Sequence, residues 1–338
     1  MSYQIENIFI GKQERNTPVY HFYIHLDSFT YNHKKGKSML ERTEIDTVAL
    51  QIDFDTDQRQ REVLNDLYCF ISENGFYIDC KEYGFGGGMK KREYFVYANN
   101  ATIATLSTGA FRTGSYVNND YAIKYYITVK FAGLKRYDDV SDTVSYNGLL
   151  LVCAYLNTYE IAFKLTELDI CIDVECTLEH LVALCVKKSP KTHYYALEER
   201  QIFTTTRYIE KMAKKKLGKA VLRAYTYDKM IKESLDTPLS RFELKLQSAY
   251  FKKYGFSIES IEKALDRYCV MYFEDLEIKE RMIKRYNGYT SVRKREIERM
   301  GLDRYRLYPD IAYIDDFIVT LLCVNFFALE FQKPNSGL

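Results

Sequence analysis

Leu222-Arg223-Ala224-Tyr225-Thr226-Tyr227-Asp228-Lys229 alternates apolar or aromatic residues with polar ones. A period of two is the period of a β-strand, so Arg223, Tyr225 and Tyr227 fall on one face. Asp228 and Lys229 close the strand. A tyrosine hydroxyl flanked by cations is a candidate nucleophile, because positive charge favours the phenolate and neutralises a phosphate. The chain holds 31 tyrosines, so a strand tyrosine is equally an ordinary packing residue.

Two further stretches share the pattern. In Leu168-Asp169-Ile170-Cys171-Ile172-Asp173-Val174-Glu175 the acids Asp169, Asp173 and Glu175 fall on one strand face. In Arg241-Phe242-Glu243-Leu244-Lys245-Leu246 the charged residues Arg241, Glu243 and Lys245 do the same. Three such strands in one sheet create a shared polar centre. Carboxylates from two strands suit a hard divalent cation, which prefers oxygen ligands. Such an ion polarises a phosphate for attack by a tyrosine.

The order "LDICIDVE", "RAYTYDK", "RFELKL" resembles the Rep_trans family of rolling-circle replication initiators and related relaxases of mobile elements. The glycine-rich hairpin Tyr83-Gly84-Phe85-Gly86-Gly87-Gly88 and the strand from Tyr126 to Gly133 (YITVKFAG) look like the family's earlier sheet. The likeness spans roughly residues 45 to 255 and rests on order and spacing. It implies Tyr227 as nucleophile, because Tyr227 directly precedes Asp-Lys, with Lys229 beside it. It implies Asp169 and Glu243, with Asp173 nearby, as ligands of Mg²⁺ or Mn²⁺. The family arginine stands two places before the tyrosine, where this chain has Tyr225; Arg223 stands four places before it on the same face. Tyr225 is therefore the alternative nucleophile.

Composition agrees with a globular chain. It has 338 residues, 47% hydrophobic, and a net charge of only +2. Charge is unevenly distributed. From Lys187 to Lys229, 12 Lys/Arg face 4 Asp/Glu; from Lys279 to Arg306, 10 face 4; from Arg136 to Glu179, 2 face 9. An acidic strand region beside basic segments suits a metal site flanked by a phosphate-binding surface, or solvated helix faces. The eight cysteines form no Cys-x-x-Cys and lie largely in apolar contexts, such as Cys153 and Cys323, which predicts buried free thiols in a reducing cytoplasm. No signal peptide is read at the N-terminus, and the apolar segment from Phe317 to Phe331 is too short for a bilayer.

Along the chain, His21 and His25 share a strand face and are weak metal candidates. Val48 to Phe54 reads as a strand, followed by a helix from Gln58 to Asn74 capped by Asp55 or Asp57. The glycine run before Lys90-Lys91-Arg92 lacks a phosphate loop's ending and reads as a basic hairpin. Helices are predicted over Tyr146 to Phe163 and Leu178 to Val186. The stretch "KMAKKKLGKA" reads as an exposed basic turn. Ser257 caps a helix running through "SIESIEKALDRYCVMYFEDL", and further helices cover Glu277 to Tyr286, Ser291 to Met300 and Ile311 to Phe331.

The expected fold is α+β: a central antiparallel sheet with flanking helices, residues 1–255 forming a nicking and joining domain and 256–338 a helical C-terminal region. The expected activity is metal-dependent nicking and joining of single-stranded DNA through a 5′-phosphotyrosine, with Lys229, Arg223 and Arg241 neutralising transition-state charge. The resemblance implies origin DNA as partner, a host helicase and a homodimer, with no membrane. A relaxase shares this chemistry. A non-catalytic DNA-binding protein, in which the same residues only pack and pair, is the rival from another class.

Overall fold

The computed structural model describes residues 31–32, 39–84, 90–98, 101–115, 120–134, 141–186, 195–196, 206–209, 222–284 and 291–324. His21, His25, the glycine run at 85–89 and "KMAKKKLGKA" lie outside them. The first elements are β1 (Tyr31–Asn32), β2 (Met39–Phe54), α1 (Asp57–Glu73), β3 (Tyr77–Gly84), β4 (Lys90–Ala98), β5 (Ala101–Ser115), β6 (Asp120–Ala132) and α2 (Ser141–Thr158). Next come β7 (Lys164–Val174), β8 (Leu181–Val186), β9 (Tyr195–Ala196), β10 (Arg207–Tyr208), β11 (Leu222–Asp228), α3 (Lys229–Glu233) and β12 (Ser240–Gln247). The last are α4 (Ser248–Tyr254), α5 (Ile258–Leu265), β13 (Tyr268–Tyr272), α6 (Leu276–Ile283), β14 (Ser291–Val292), α7 (Lys294–Arg299) and α8 (Ile311–Cys323). The class is α+β, with mostly antiparallel strands and flanking helices.

Two compact units divide the described residues. One takes those between 47 and 165 and from 316 onward. The other takes those between 31 and 46 and between 166 and 315. α5 to α7 belong to the same unit as β11, β12 and most of β7.

In the first unit β3, β4, β5, β6 and the second part of β2 pair in that order, all antiparallel. Gly84 opposes Lys90 at the end of the antiparallel β3–β4 pair. Alternation sends Leu50, Ile52, Leu106, Ile127, Val129 and Phe131 to one buried face. α1 offers Val63, Leu67 and Ile71 at helical spacing, and α2 is buried along Leu149–Leu156. A Cβ at Gly148 would stand 3.1 Å from Ile103 and 3.3 Å from Phe131, so α2 uses its glycine to approach the sheet closely. Thr56, not Asp55 or Asp57, caps α1: its side chain accepts from the backbone N–H of Arg59 at 3.2 Å. The Asn157 amide donates to the carbonyls of Leu321 and Val324, tying the end of α2 to α8.

In the second unit β7, β12, β11, β10 and β9 form an antiparallel series. A separate sheet has the order β13–β8–β14. The segment from Leu178 to Val186 is thus not a helix: Leu181–Val186 forms β8, antiparallel to β13 and parallel to β14. A short apolar run has no periodicity that separates a buried strand from a buried helix. The predicted helix from Ser257 likewise ends at Leu265, and Tyr268-Cys269-Val270-Met271-Tyr272 becomes β13. The second core gathers Leu184, Cys269, Met271, Phe273, Ile283, Val292, Ile297 and Leu302.

Candidate active site

The three strands singled out by alternation are neighbours. β12 lies between β7 and β11, and its register places Arg241 between Asp173 and Tyr227, Glu243 between Cys171 and Tyr225, and Lys245 between Asp169 and Arg223. Directly opposed residues on antiparallel strands point to the same face. One face therefore carries all these functional groups, and the other carries Ile170, Ile172, Phe242, Leu244, Ala224 and Thr226.

Two networks occupy the polar face. In the first, Glu243 accepts from both tyrosines: from the Tyr227 hydroxyl at 3.0 Å through Oε2, and from the Tyr225 hydroxyl through Oε1. The two rings stack with centroids 6.0 Å apart. Beside them Arg241 grips Asp173 with Nε to Oδ1 at 2.5 Å and Nη2 to Oδ2 at 2.8 Å, and reaches Asp46 with Nη1 at 2.6 Å. Lys229 adds Nζ to Oδ2 of Asp173 at 3.4 Å. In the second network Lys245 binds Asp169 at 2.6 Å and Glu167 at 2.9 Å.

The face is buried. Arg241 is 1% exposed, Lys229 0%, Glu243 4% and Tyr227 2%. Tyr225 and Arg223 are half-buried, which makes Tyr225 the more accessible of the two phenols. Charges so deep persist only when paired, and here they are. Burial and the negative charge of Glu243 push the Tyr225 phenol up. Burial also pushes the Tyr227 phenol up, with Arg241 opposing and Glu243 assisting. Both phenols rest protonated, each with its hydrogen aimed at one carboxylate. Burial lowers the Lys229 ammonium to about 8, against the pull of Asp173. Burial lifts the Asp169 carboxyl to about 7, with Lys245 opposing.

The three acids expected to hold a metal do not converge. Asp173 is engaged by Arg241 and Lys229, Asp169 by Lys245, and Glu243 by two hydroxyls. Among the described residues no three His, Cys, Asp or Glu side chains are grouped to hold an ion. Five carboxylates (Asp46, Glu167, Asp169, Asp173, Glu243) share this face with four cations (Arg223, Lys229, Arg241, Lys245), which leaves little surplus negative charge for a divalent ion. The donor set as arranged does not fit a resident metal.

Three residues of the site carry weak or no sequence signal. Cys171 sits on the polar face between Asp169 and Asp173, where strict alternation places it. Lys232, one turn into α3, puts its ammonium 4.3 Å from the centre of the Tyr227 ring. Asp46 comes from β2, 195 residues from its partner, and nothing local announces it.

No family model matches the chain, and no curated protein does. Among solved structures, the S. pombe RNA triphosphatase Pct1 in complex with the Spt5 CTD aligns over 72% of this chain and 86% of its own, at 10% identity and a TM-score of 0.09. At that score the likeness carries no statement about fold or function. No described helix is long and apolar enough to cross a membrane.

Proposed function

We propose that the polar face of β7, β12 and β11 is a site for nicking and joining DNA through a strand tyrosine, as in the Rep_trans proteins that the chain resembles. One observation carries the reading: two adjacent tyrosine hydroxyls donate to a single carboxylate, Glu243, with Arg241 and Lys232 beside them. Because both phenols resist ionisation, the proton leaves during attack and not before it. A phenolic oxygen forms its bond to phosphorus as the bond from phosphorus to the 3′ oxygen breaks. The phenolic proton passes to Glu243, and the departing 3′ oxygen takes up a proton to become a hydroxyl. The products are a 5′-phosphotyrosine and a free 3′ end, and reversal rejoins the strand without a nucleotide cofactor. Arg223, Arg241 and Lys229 would offset charge on the phosphate.

The resemblance points to Tyr227 as nucleophile and exposure points to Tyr225. The reading routes no step through a metal. Origin DNA, a host helicase and a homodimeric state are partners that follow from the resemblance alone, and a relaxase would use the same chemistry. The burial and ion pairing of the cluster favour a second reading, in which it is a polar core of a non-catalytic protein.

The test is denaturing electrophoresis after incubation of the chain with single-stranded origin DNA, with Mn²⁺ and with a chelator. A protein–DNA adduct lost in Tyr227→Phe or in Tyr225→Phe identifies the nucleophile. Glu243→Gln should lower adduct formation by about 10²–10⁴-fold, the range for losing a general base. An adduct that survives chelation agrees with the paired carboxylates. No adduct in any condition, with both Phe variants folded as wild type, leaves the polar-core reading standing.

A further inference from the structure

A second feature lies in the first unit. One flank of α1 and the end of α2 enclose a cleft of about 390 Å³. Ligand sites for small organic groups start near this size, at about 300 Å³. Its wall is an aromatic row: the Phe70 and Tyr155 rings lie 4.8 Å apart, and Tyr155 and Tyr159 lie 4.9 Å apart. Tyr155 is buried, whereas Tyr159 is 62% exposed at the mouth. Two carboxylates, Asp66 and Glu73, line the same cleft and make no ion pair among the described residues. The cleft's own cation, Arg59, is held by Glu62 at 3.2 Å.

Aromatic faces carry negative electrostatic potential and attract ammonium or guanidinium groups held over them. The carboxylates of Asp66 and Glu73, which make no ion pair among the described residues, add to that field. The helix spacing makes this arrangement local: Arg59, Asp66, Phe70 and Glu73 follow one another at intervals of seven, four and three on α1, so they share a side. An anion would meet two carboxylates here. We infer that this cleft binds an organic cation, an alkylammonium or alkylguanidinium group, between the Tyr155–Tyr159 rings and the carboxylates of Asp66 and Glu73. Such a group belongs to a free polyamine or to a lysine or arginine side chain on another protein.

The test is isothermal titration of the full chain with agmatine, with an acetylated Gly-Gly-Arg-Gly-Gly amide, and with neutral pentanol. Saturable binding of either cation, at least tenfold tighter than pentanol, is expected. The tighter of the two cations tells whether the natural source is a free amine or a side chain. Tyr159→Leu and the pair Asp66→Asn with Glu73→Gln should each weaken binding at least fivefold; all three positions are exposed, so folding is retained. Arg59→Gln should strengthen it, because it removes a like charge. The inference is overturned if neither cation saturates, if pentanol binds as well, or if Arg59→Gln weakens binding, since that sign belongs to an anion site.

Discussion

Lys229 shows how a single residue records both its strand and its burial. It follows the strand that carries the tyrosines, and Asp228 ends that strand by capping α3 through Oδ1 to the N–H of Ile231 at 3.0 Å. The turn directs Lys229 inward, fully buried and 3.4 Å from Asp173. Burial lowers its ammonium from 10.5 to about 8. Below about 8 both folded and unfolded chains carry the proton. Between about 8 and 10.5 the folded chain has released it and the unfolded chain has not. The unfolded state binds more protons in that window, so stability rises with pH across it. Urea unfolding of the wild type and of Lys229→Met should show the wild type gaining on the variant from pH 8 to 10.5. A difference that stays flat across the window would mean that Lys229 is solvated. At this scale alternation in the sequence located Tyr225, Tyr227, Arg241, Glu243, Asp169 and Asp173 on polar faces. It was silent about Asp46, whose partnership with Arg241 is a long-range accident of folding.

Element identities were legible where periodicity was strong and lost where it was not. β7, β11 and β12 alternate over seven or more residues, and all three are strands. The start of α5 was legible because capping is local: the Ser257 hydroxyl accepts from the N–H of Ser260, and the Ser260 hydroxyl accepts from the N–H of Ser257. Ser257→Ala should lower unfolding free energy by about 1 kcal/mol. A chemical denaturation curve unchanged within error would show that the Ser260 hydroxyl, which also contacts Gly255, secures this end alone. The far end of the same helix was not legible. Nothing between Leu265 and Tyr268 stops a helix as proline would, and β13 exists because β8 offers it a partner along Tyr268–Tyr272. β8 in turn is a strand because β13 and β14 flank it.

Across the whole molecule the eight cysteines give a simple readout of the fold. All are free thiols; Cys153, Cys171, Cys176, Cys185 and Cys269 are buried, and Cys69, Cys80 and Cys323 are exposed. Burial pushes the Cys153 and Cys171 thiols up, so their reactive thiolates are suppressed twice over. Titration with a chromogenic disulfide should consume three thiols in the native protein and all eight in denaturant. Fast native reaction of Cys171 would show that the polar face is open to solvent. The exposure of Cys323 departs from its apolar context, because α8 is buried on one side only and Cys323 falls on the other. The sequence by itself determined the α+β class, the three alternating strands and the start of α5 at its Ser257 cap, since periodicity and capping act within a few residues. Only the tertiary structure decided that β12 lies between β7 and β11, that their polar face is buried, and that its carboxylates are spent on arginine, lysine and tyrosine. Pairing and burial join residues as distant as Asp46 and Arg241, 195 positions apart, and no local pattern encodes that.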